Sequence, residues 1–346
     1  MNNAKRAPIG GLRTLTLDQL FAHPFPDREH LVFPWLRQGE SALLWAPVGL
    51  GKTMLSLTLA LAVAGGGKVL GWEAHRPRSV LLVDGEMHAA DLRDRLQMLA
   101  GTIEGCDMAA AGRNLRVLCR QMQDGDVKFP DLAESVVPDA GRKAGQDVIL
   151  AVARQAQAEL VILDNLTTLA GVEDENSAAA LGPVVQFLLR VKQAGHACIL
   201  VHHAGKSGTN FRGSSAIATT FETIIGLRRL EGHAVGDGVG FELCWEKYRG
   251  KPTAATRDAT VTLEGDLEGV QRWTSKPAVR AEMDALLEAV RSGRYRTQRE
   301  LAEALNMDPT KITRLKHRAQ GQHLMAPKEW DEFMSGALME DAQADF

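Results

Sequence analysis

The sequence predicts an α/β fold: a mostly parallel sheet covered by helices on both faces, followed by a small helical unit. Three observations lead there. From Glu40 onward, short apolar runs alternate with stretches of helical character. The first of those runs feeds a glycine-rich turn that opens directly into an apolar helix. Beyond Pro277 the strand pattern stops and three helices with a basic stretch replace it.

Residues 1–30 are polar and carry Pro8, Pro24 and Pro26, so an N-terminal arm with at most one short helix, around Thr16–Phe21, is expected. Strands are expected at Ser41–Trp45, Ser79–Val83, Leu115–Cys119, Leu160–Leu163 and Ala197–Val201. Helices are expected at Thr53–Ala64, Ala89–Leu99, Gln146–Ala158 and Ala178–Gln193. The chain then turns strand-rich, with runs at Thr223–Leu227, Glu242–Tyr248, Ala259–Leu263 and Val270–Trp273. Short glycine-rich turns join these runs, which suits antiparallel strands at a sheet edge. A core over 31–276 is therefore expected, then a helix-turn-helix or winged-helix-like unit over 277–327 and a loose acidic tail over 328–346.

Composition bounds the class. The chain has 346 residues, 45% hydrophobic and 24% charged, as ordinary globular domains have. A net charge of -3 gives no global attraction to nucleic acid, so any basic surface is local. The four cysteines, Cys106, Cys119, Cys198 and Cys244, form no C-x-x-C pair and fit buried free thiols. The sequence contains no apolar run long enough to span a membrane and no signal-peptide pattern at its start. A cytoplasmic location with no membrane partner is the expectation.

The motif Ala46-Pro-Val-Gly-Leu-Gly-Lys-Thr53 sits between a strand and a helix, as a phosphate-binding loop must. Gly49 and Gly51 let the backbone curl until its N–H groups point at phosphate oxygens, and the helix N-terminus adds its positive end. Lys52 is expected on the β- and γ-phosphates and Thr53 on Mg²⁺. The nucleotide cradle is thus Pro47, Val48, Gly49, Leu50, Gly51, Lys52, Thr53 and Met54, with ATP and Mg²⁺ as ligands. Ala46 replaces the first glycine of the pattern, a turn position that makes no phosphate contact.

Two further apolar strands end in acids. Leu160–Leu163 leads to Asp164, which is placed to hold the Mg²⁺ shell at the ligand-binding end of a sheet. Val80–Val83 leads to Asp84-Gly-Glu86, where Glu86 is the candidate general base and Asp84 its competitor.

Together these segments resemble RecA-like ATPases of the hexameric helicase type. Val80–Met87, Leu160–Leu169, Val201–Lys206 and Trp245–Gly250 are similar to the corresponding segments of DnaB-type helicases. His202-His203-x-x-Lys206, Arg212–Ser215 and Trp35-Leu36 look most like plasmid RepA-type helicases and their AAA_25 relatives. The resemblance covers roughly Phe33 to Gly250. It implies a homo-oligomer, a hexameric ring, with single-stranded DNA in its channel. It favours Glu86 as the catalytic carboxylate and places His203 at the γ-phosphate sensor position, with neighbouring His202 as the alternative. Lys247 and Arg249 match a basic pair that reaches the neighbouring subunit's γ-phosphate. Lys206 and Arg212 fall in the segment that matches the channel-facing loop of RecA-like rings, though it equally suits an ordinary surface loop.

The C-terminal unit lies outside that resemblance. Arg291–Arg318 holds eight Arg or Lys against three Asp or Glu. Its last helix, Pro309–Ala319, carries Lys311, Arg314, Lys316 and Arg318, which suits contact with duplex DNA. Three functions stay open on sequence: a ring motor on single-stranded DNA, a non-motor DNA-bound ATPase, and a KaiC-like signalling ATPase without DNA.

Overall fold

The computed structural model describes residues 14–134, 144–171, 178–205, 215–230, 233, 238–265, 270–321 and 324–335. Helix α1 (Leu17–Phe21) is closed by a capping box between Thr16 and Gln19. Strands β1 (His30–Val32) and β2 (Leu36–Arg37) form a small antiparallel ribbon. The core begins with β3 (Ser41–Ala46), α2 (Lys52–Gly65) and the hairpin β4 (Gly67–Val69) and β5 (Trp72–Ala74). It continues through β6 (Val80–Asp84), α3 (Ala89–Ala100), α4 (Met108–Asn114), β7 (Leu115–Cys119) and α5 (Gly145–Gln155). Next come β8 (Leu160–Asp164), α6 (Leu166–Leu169), α7 (Ala178–Gln193), β9 (Ala197–His203) and α8 (Ser215–Thr220). Strands β10 (Thr223–Arg229), β11 (Val239–Tyr248), β12 (Ala259–Gly265) and β13 (Gln271–Pro277) complete it.

Nine of these strands form one sheet in the order β13-β12-β11-β10-β3-β9-β8-β6-β7. Strands β7, β6, β8, β9, β3 and β10 run parallel. Strands β11 to β13 add an antiparallel edge. The parallel strands read as continuous apolar runs because both faces are covered. In β8, Leu160 and Ile162 join the core on the α2 face, while Val161 and Leu163 join the core with α5 and α7. Helix α2 is buried along its whole length except at Thr53, which explains an apolar sequence with no polar stripe.

Helices α9 (Val279–Arg291), α10 (Gln298–Ala304) and α11 (Pro309–Gly321) form the expected helical unit. It has its own core, built on Met283, Leu286, Leu301, Ile312 and Leu315. Thr297 caps α10 through Glu300 N at 3.2 Å. Asp308 accepts from Thr310 N at 2.7 Å at the start of α11, and these bonds hold its carboxyl below the usual range. Among the described residues no strand follows Pro277, so the winged alternative has no wing there.

One expectation fails. The tail from Lys328 is not loose throughout: α12 (Pro327–Ser335) carries Trp330 into the helical unit's core. A buried indole with Lys316 Nζ 5.0 Å over its ring outweighs the acidic composition that suggested disorder. Residues 336–346 lie outside the described ones. Helix α4 and both small hairpins are too short for sequence periodicity to register. All four cysteines are free; Cys119, Cys198 and Cys244 are buried and Cys106 is only half-buried. No helix among the described residues is long and apolar enough to cross a membrane.

Separate cores make a testable distinction. Trp330→Ala is expected to destabilise the helical unit by about 3–5 kcal/mol, the usual cost of emptying a large aromatic site. Calorimetry should show an early transition for that unit, with the transition of the nine-stranded core unmoved.

Candidate active site

Strand order sets the site. The carboxyl ends of β3, β9, β8 and β6 lie side by side, so the phosphate loop, His203, Asp164 and the Asp84–Glu86 turn form one row. In this row β6 and β8 pair in register, with Asp84 opposite Asp164. This is the edge at which parallel α/β sheets bind ligands.

Between β3 and α2 the loop turns through Gly49 and Gly51, at φ 78° and 98°. A side chain at Gly51 is excluded twice, by that backbone angle and by Val239 Cγ1, 2.4 Å from where a Cβ would sit. Val48 and Gly49 stand exposed at the loop tip, and α2 begins at Lys52 with free backbone N–H groups.

Lys52 is buried, with 7% of its surface exposed, although it carries a charge. Burial lowers its proton affinity, and the attraction of Asp164 and Glu86 opposes that. Asp164 is fully buried. Burial and the neighbouring Asp84 push its carboxyl up to about 6, against the pull of Ser56, Lys52 and Thr53. Its Oδ2 accepts from Ser56 Oγ at 3.0 Å. Lys52, Thr53 and Asp164 thus come together as one cation, one hydroxyl and one carboxylate.

This set fits Mg²⁺. The ion takes one or two carboxylates and completes its shell with water and phosphate oxygens. The described residues contain no cluster of three His, Cys, Asp or Glu, so an all-protein cage is absent among them. A desolvated carboxylate with raised proton affinity is a favourable partner for a divalent cation. Thr53 and Asp164 are the residues that would hold it.

Asp84 and Glu86 are separated by geometry. Asp84 is buried, and its Oδ1 accepts from Met87 N at 2.8 Å and Glu86 N at 3.3 Å. Burial raises its proton affinity despite those two bonds. Its carboxylate is therefore occupied in shaping the turn. Glu86 is solvent-exposed at the sheet edge and accepts from Asn165 Nδ2 at 2.5 Å. The two histidines point to opposite faces of β9. His203 is half-buried on the α2 face, and His202 is fully buried on the other.

Lys247 and Arg249 lie at the other end of the sheet. Antiparallel pairing of β11 to β10 places Lys247 opposite Ile224, which pairs with Leu43 near the start of β3. Both side chains face the C-terminal end of α8, where Lys247 Nζ donates to Ala218 O at 2.9 Å and Arg249 to Thr219 O at 3.5 Å. Both thus stand toward the end of the sheet opposite the phosphate loop of their own chain. Lys206 and Arg212 lie outside the described residues.

The four cations named on α11 divide. Lys311 bonds Glu282 Oε1 of α9, and Lys316 packs over Trp330 and pairs with Asp331 at 3.7 Å. These two side chains make contacts within the helical unit. Arg314 and Arg318 are exposed, and so are Arg294 and Arg296 in the turn before α10.

Two residues at this edge, Ser56 and Asn165, are not among those that the sequence motifs single out. Ser56 is legible in principle: it lies one turn beyond Thr53 and is, with Thr58, one of two further hydroxyls in a mostly apolar helix. Asn165 gave no signal beyond following Asp164.

A family model, an AAA domain of the AAA_25 family, matches residues 6–209, more than half of the chain. The chain belongs to that family. The AAA_25 chain has a RecA-like core and is a P-loop ATPase, the class that uses ATP with Mg²⁺. It is also similar to the crystal structure of a KaiC-like protein from the hyperthermophilic archaeon Pyrococcus horikoshii OT3. That match has 15% identity and a TM-score of 0.48, over 72% of this chain and 94% of that one. No curated protein matches it.

Gly85 supplies the test of this geometry. A Cβ there would lie 2.5 Å from Thr168 Oγ1 and 2.8 Å from Leu169 Cδ2. Gly85→Ala is expected to push the Glu86 turn away from α6 and to cost about 1–3 kcal/mol, the range for overpacking. Thermal unfolding measures the stability. ATP hydrolysis should fall by more than nucleotide affinity, because the phosphate loop is untouched.

Proposed function

We propose that this AAA_25 chain is a ring-forming ATPase that acts on DNA, in the manner of RepA-type replicative helicases. One observation carries the reading: Lys52, His203, Asp164 and Glu86 stand in a row at one edge of the sheet, and the basic pair Lys247 and Arg249 stands at the opposite edge. In a head-to-tail assembly of identical copies, that second edge is where a neighbour's nucleotide would be met.

Lys52 and the loop N–H groups bind the β- and γ-phosphates. Thr53 and Asp164 would hold Mg²⁺, which would supply positive charge next to the phosphate oxygens. Glu86 accepts a proton from water as the water oxygen bonds to the γ-phosphorus. The bond from that phosphorus to the bridging oxygen breaks, and the oxygen leaves with ADP. His203, on the phosphate-loop face of β9, is the residue placed to register the γ-phosphate. A neighbour's Arg249, with Lys247, stabilises the charge at the transition state, an effect worth about 10³–10⁵ in rate where it has been measured in other P-loop enzymes.

The alternative is a non-motor DNA-bound ATPase. The exposed Arg294, Arg296, Arg314 and Arg318 of the helical unit favour it, because a motor needs no duplex reader. Lys206 and Arg212 remain the proposed contacts to single-stranded DNA. A strand-displacement assay beside a duplex-binding assay separates the readings: displacement supports the motor, and duplex binding without displacement supports the alternative.

Subunit mixing tests the shared site. Lys52→Ala and Arg249→Ala are each expected to hydrolyse ATP poorly, for lack of a phosphate contact and of a finger. Mixed, they should regain activity, since one keeps a finger and the other a competent site. No rescue on mixing, with a specific rate independent of concentration down to the monomer, would refute it.

Duplex contact has its own check. Arg314→Ala should weaken duplex binding and lower the salt dependence by about one phosphate contact. Lys316→Ala should instead lower the melting temperature of the helical unit.

A further inference from the structure

We propose that Asn165 is a positioning residue for Glu86, fixing the carboxylate that accepts the proton of the attacking water. The inference rests on the reading of Glu86 as the general base and adds the residue through which that base is held.

Asn165 follows Asp164 at the end of β8 and caps α6. It is 1% exposed, whereas Glu86 is open to solvent. The amide orientation is fixed from two sides. Its Oδ1 accepts from Thr168 N at 3.3 Å, which caps the helix. Its Nδ2 then faces Glu86 Oε2, and a carboxylate can only accept. The two strands that present these residues are tied at the same level, with Gly85 N donating to Asp164 O at 2.9 Å. Gly85 lacks the Cβ that would strike Thr168, so the turn carrying Glu86 lies directly against the start of α6.

Glu86 is long, exposed and joined to a glycine, so it has many conformers to choose among. A rigid buried donor selects one of them. The energetic logic is pre-organisation: rate is lost steeply when a reacting group is misplaced by a fraction of its reach. A second role for the bond, as simple structural glue, is opposed by the exposure of Glu86. An exposed carboxylate gains little stability from a single hydrogen bond, while Asn165 has its helix-capping partner already.

The test uses Asn165→Ser. Serine caps helices as well as asparagine does but is too short to reach Glu86, so α6 is preserved. Three quantities are measured on the full chain: kcat for ATP, the affinity for a non-hydrolysable ATP analogue, and the same substitution made in Glu86→Gln. The expected results are a fall in kcat of about ten- to a hundredfold, an unchanged analogue affinity, and no further loss in the Glu86→Gln background. An unchanged or raised kcat overturns the proposal. So does a loss of equal factor in the Glu86→Gln background, or an affinity that falls in step with the rate. If Glu86→Gln alone turns over at the wild-type rate, the general-base reading fails together with the proposal. A slow Glu86→Gln with a normal Asn165→Ser removes the positioning role alone.

Discussion

A buried ammonium beside a buried carboxylate is the constraint on which the rest of this molecule depends. Lys52 and Asp164 come from different segments, one opening α2 and the other ending β8, and both lie almost wholly out of water. Isolated, each would be costly to bury in its charged form. Near enough to attract each other, and with Ser56 and Thr53 donating to the carboxylate, they limit that cost without removing it: Asp164 still prefers its proton more than an exposed aspartate does. The residual penalty has a functional sense. A site that leaves both charges incompletely satisfied favours ligands that complete them, namely phosphate oxygens for the ammonium and a divalent cation for the carboxylate.

The sheet order supplies the remaining placements. Because β9 separates β3 from β8, its last residue, His203, lies between the phosphate loop and Asp164. Because β6 flanks β8, the turn bearing Glu86 abuts Asn165. The antiparallel return of β11 carries Lys247 and Arg249 to the far edge, where the C-terminal carbonyls of α8 hold them. The edge that bears Asp164 and Glu86 and the edge that bears the basic pair thus face opposite ways.

Much of this was legible in the sequence. The phosphate loop is a local motif, and its glycines, Lys52 and Thr53 need only a strand before and a helix after. Asp164 and the Asp84–Glu86 pair are likewise strand ends, located by apolar runs. Pairwise choices were harder. Asp84 and Glu86 share a turn, and only the hydrogen bonds from Met87 N and Glu86 N show which carboxylate is occupied. His202 and His203 differ by one residue, which on a strand means opposite faces, but which face holds α2 is a matter of topology. In the helical unit, charge counting treated four cations of α11 alike. Lys311 and Lys316 proved to be partners of Glu282, Trp330 and Asp331, because a helix packed on two sides leaves only part of its circumference to solvent. Trp330 itself was hidden in an acidic stretch, where composition outvoted one large apolar side chain.

The most direct measurement is the calorimetric affinity of a non-hydrolysable ATP analogue, with and without Mg²⁺, for the wild-type chain and for Asp164→Asn. If Asp164 is the protein's carboxylate for the cation, Mg²⁺ tightens binding to the wild type. Asp164→Asn then binds the Mg²⁺-free analogue at least as well as the wild type and gains little from Mg²⁺. An Asp164→Asn chain that keeps the full benefit of Mg²⁺ would contradict the assignment of the buried pair as the centre of the site.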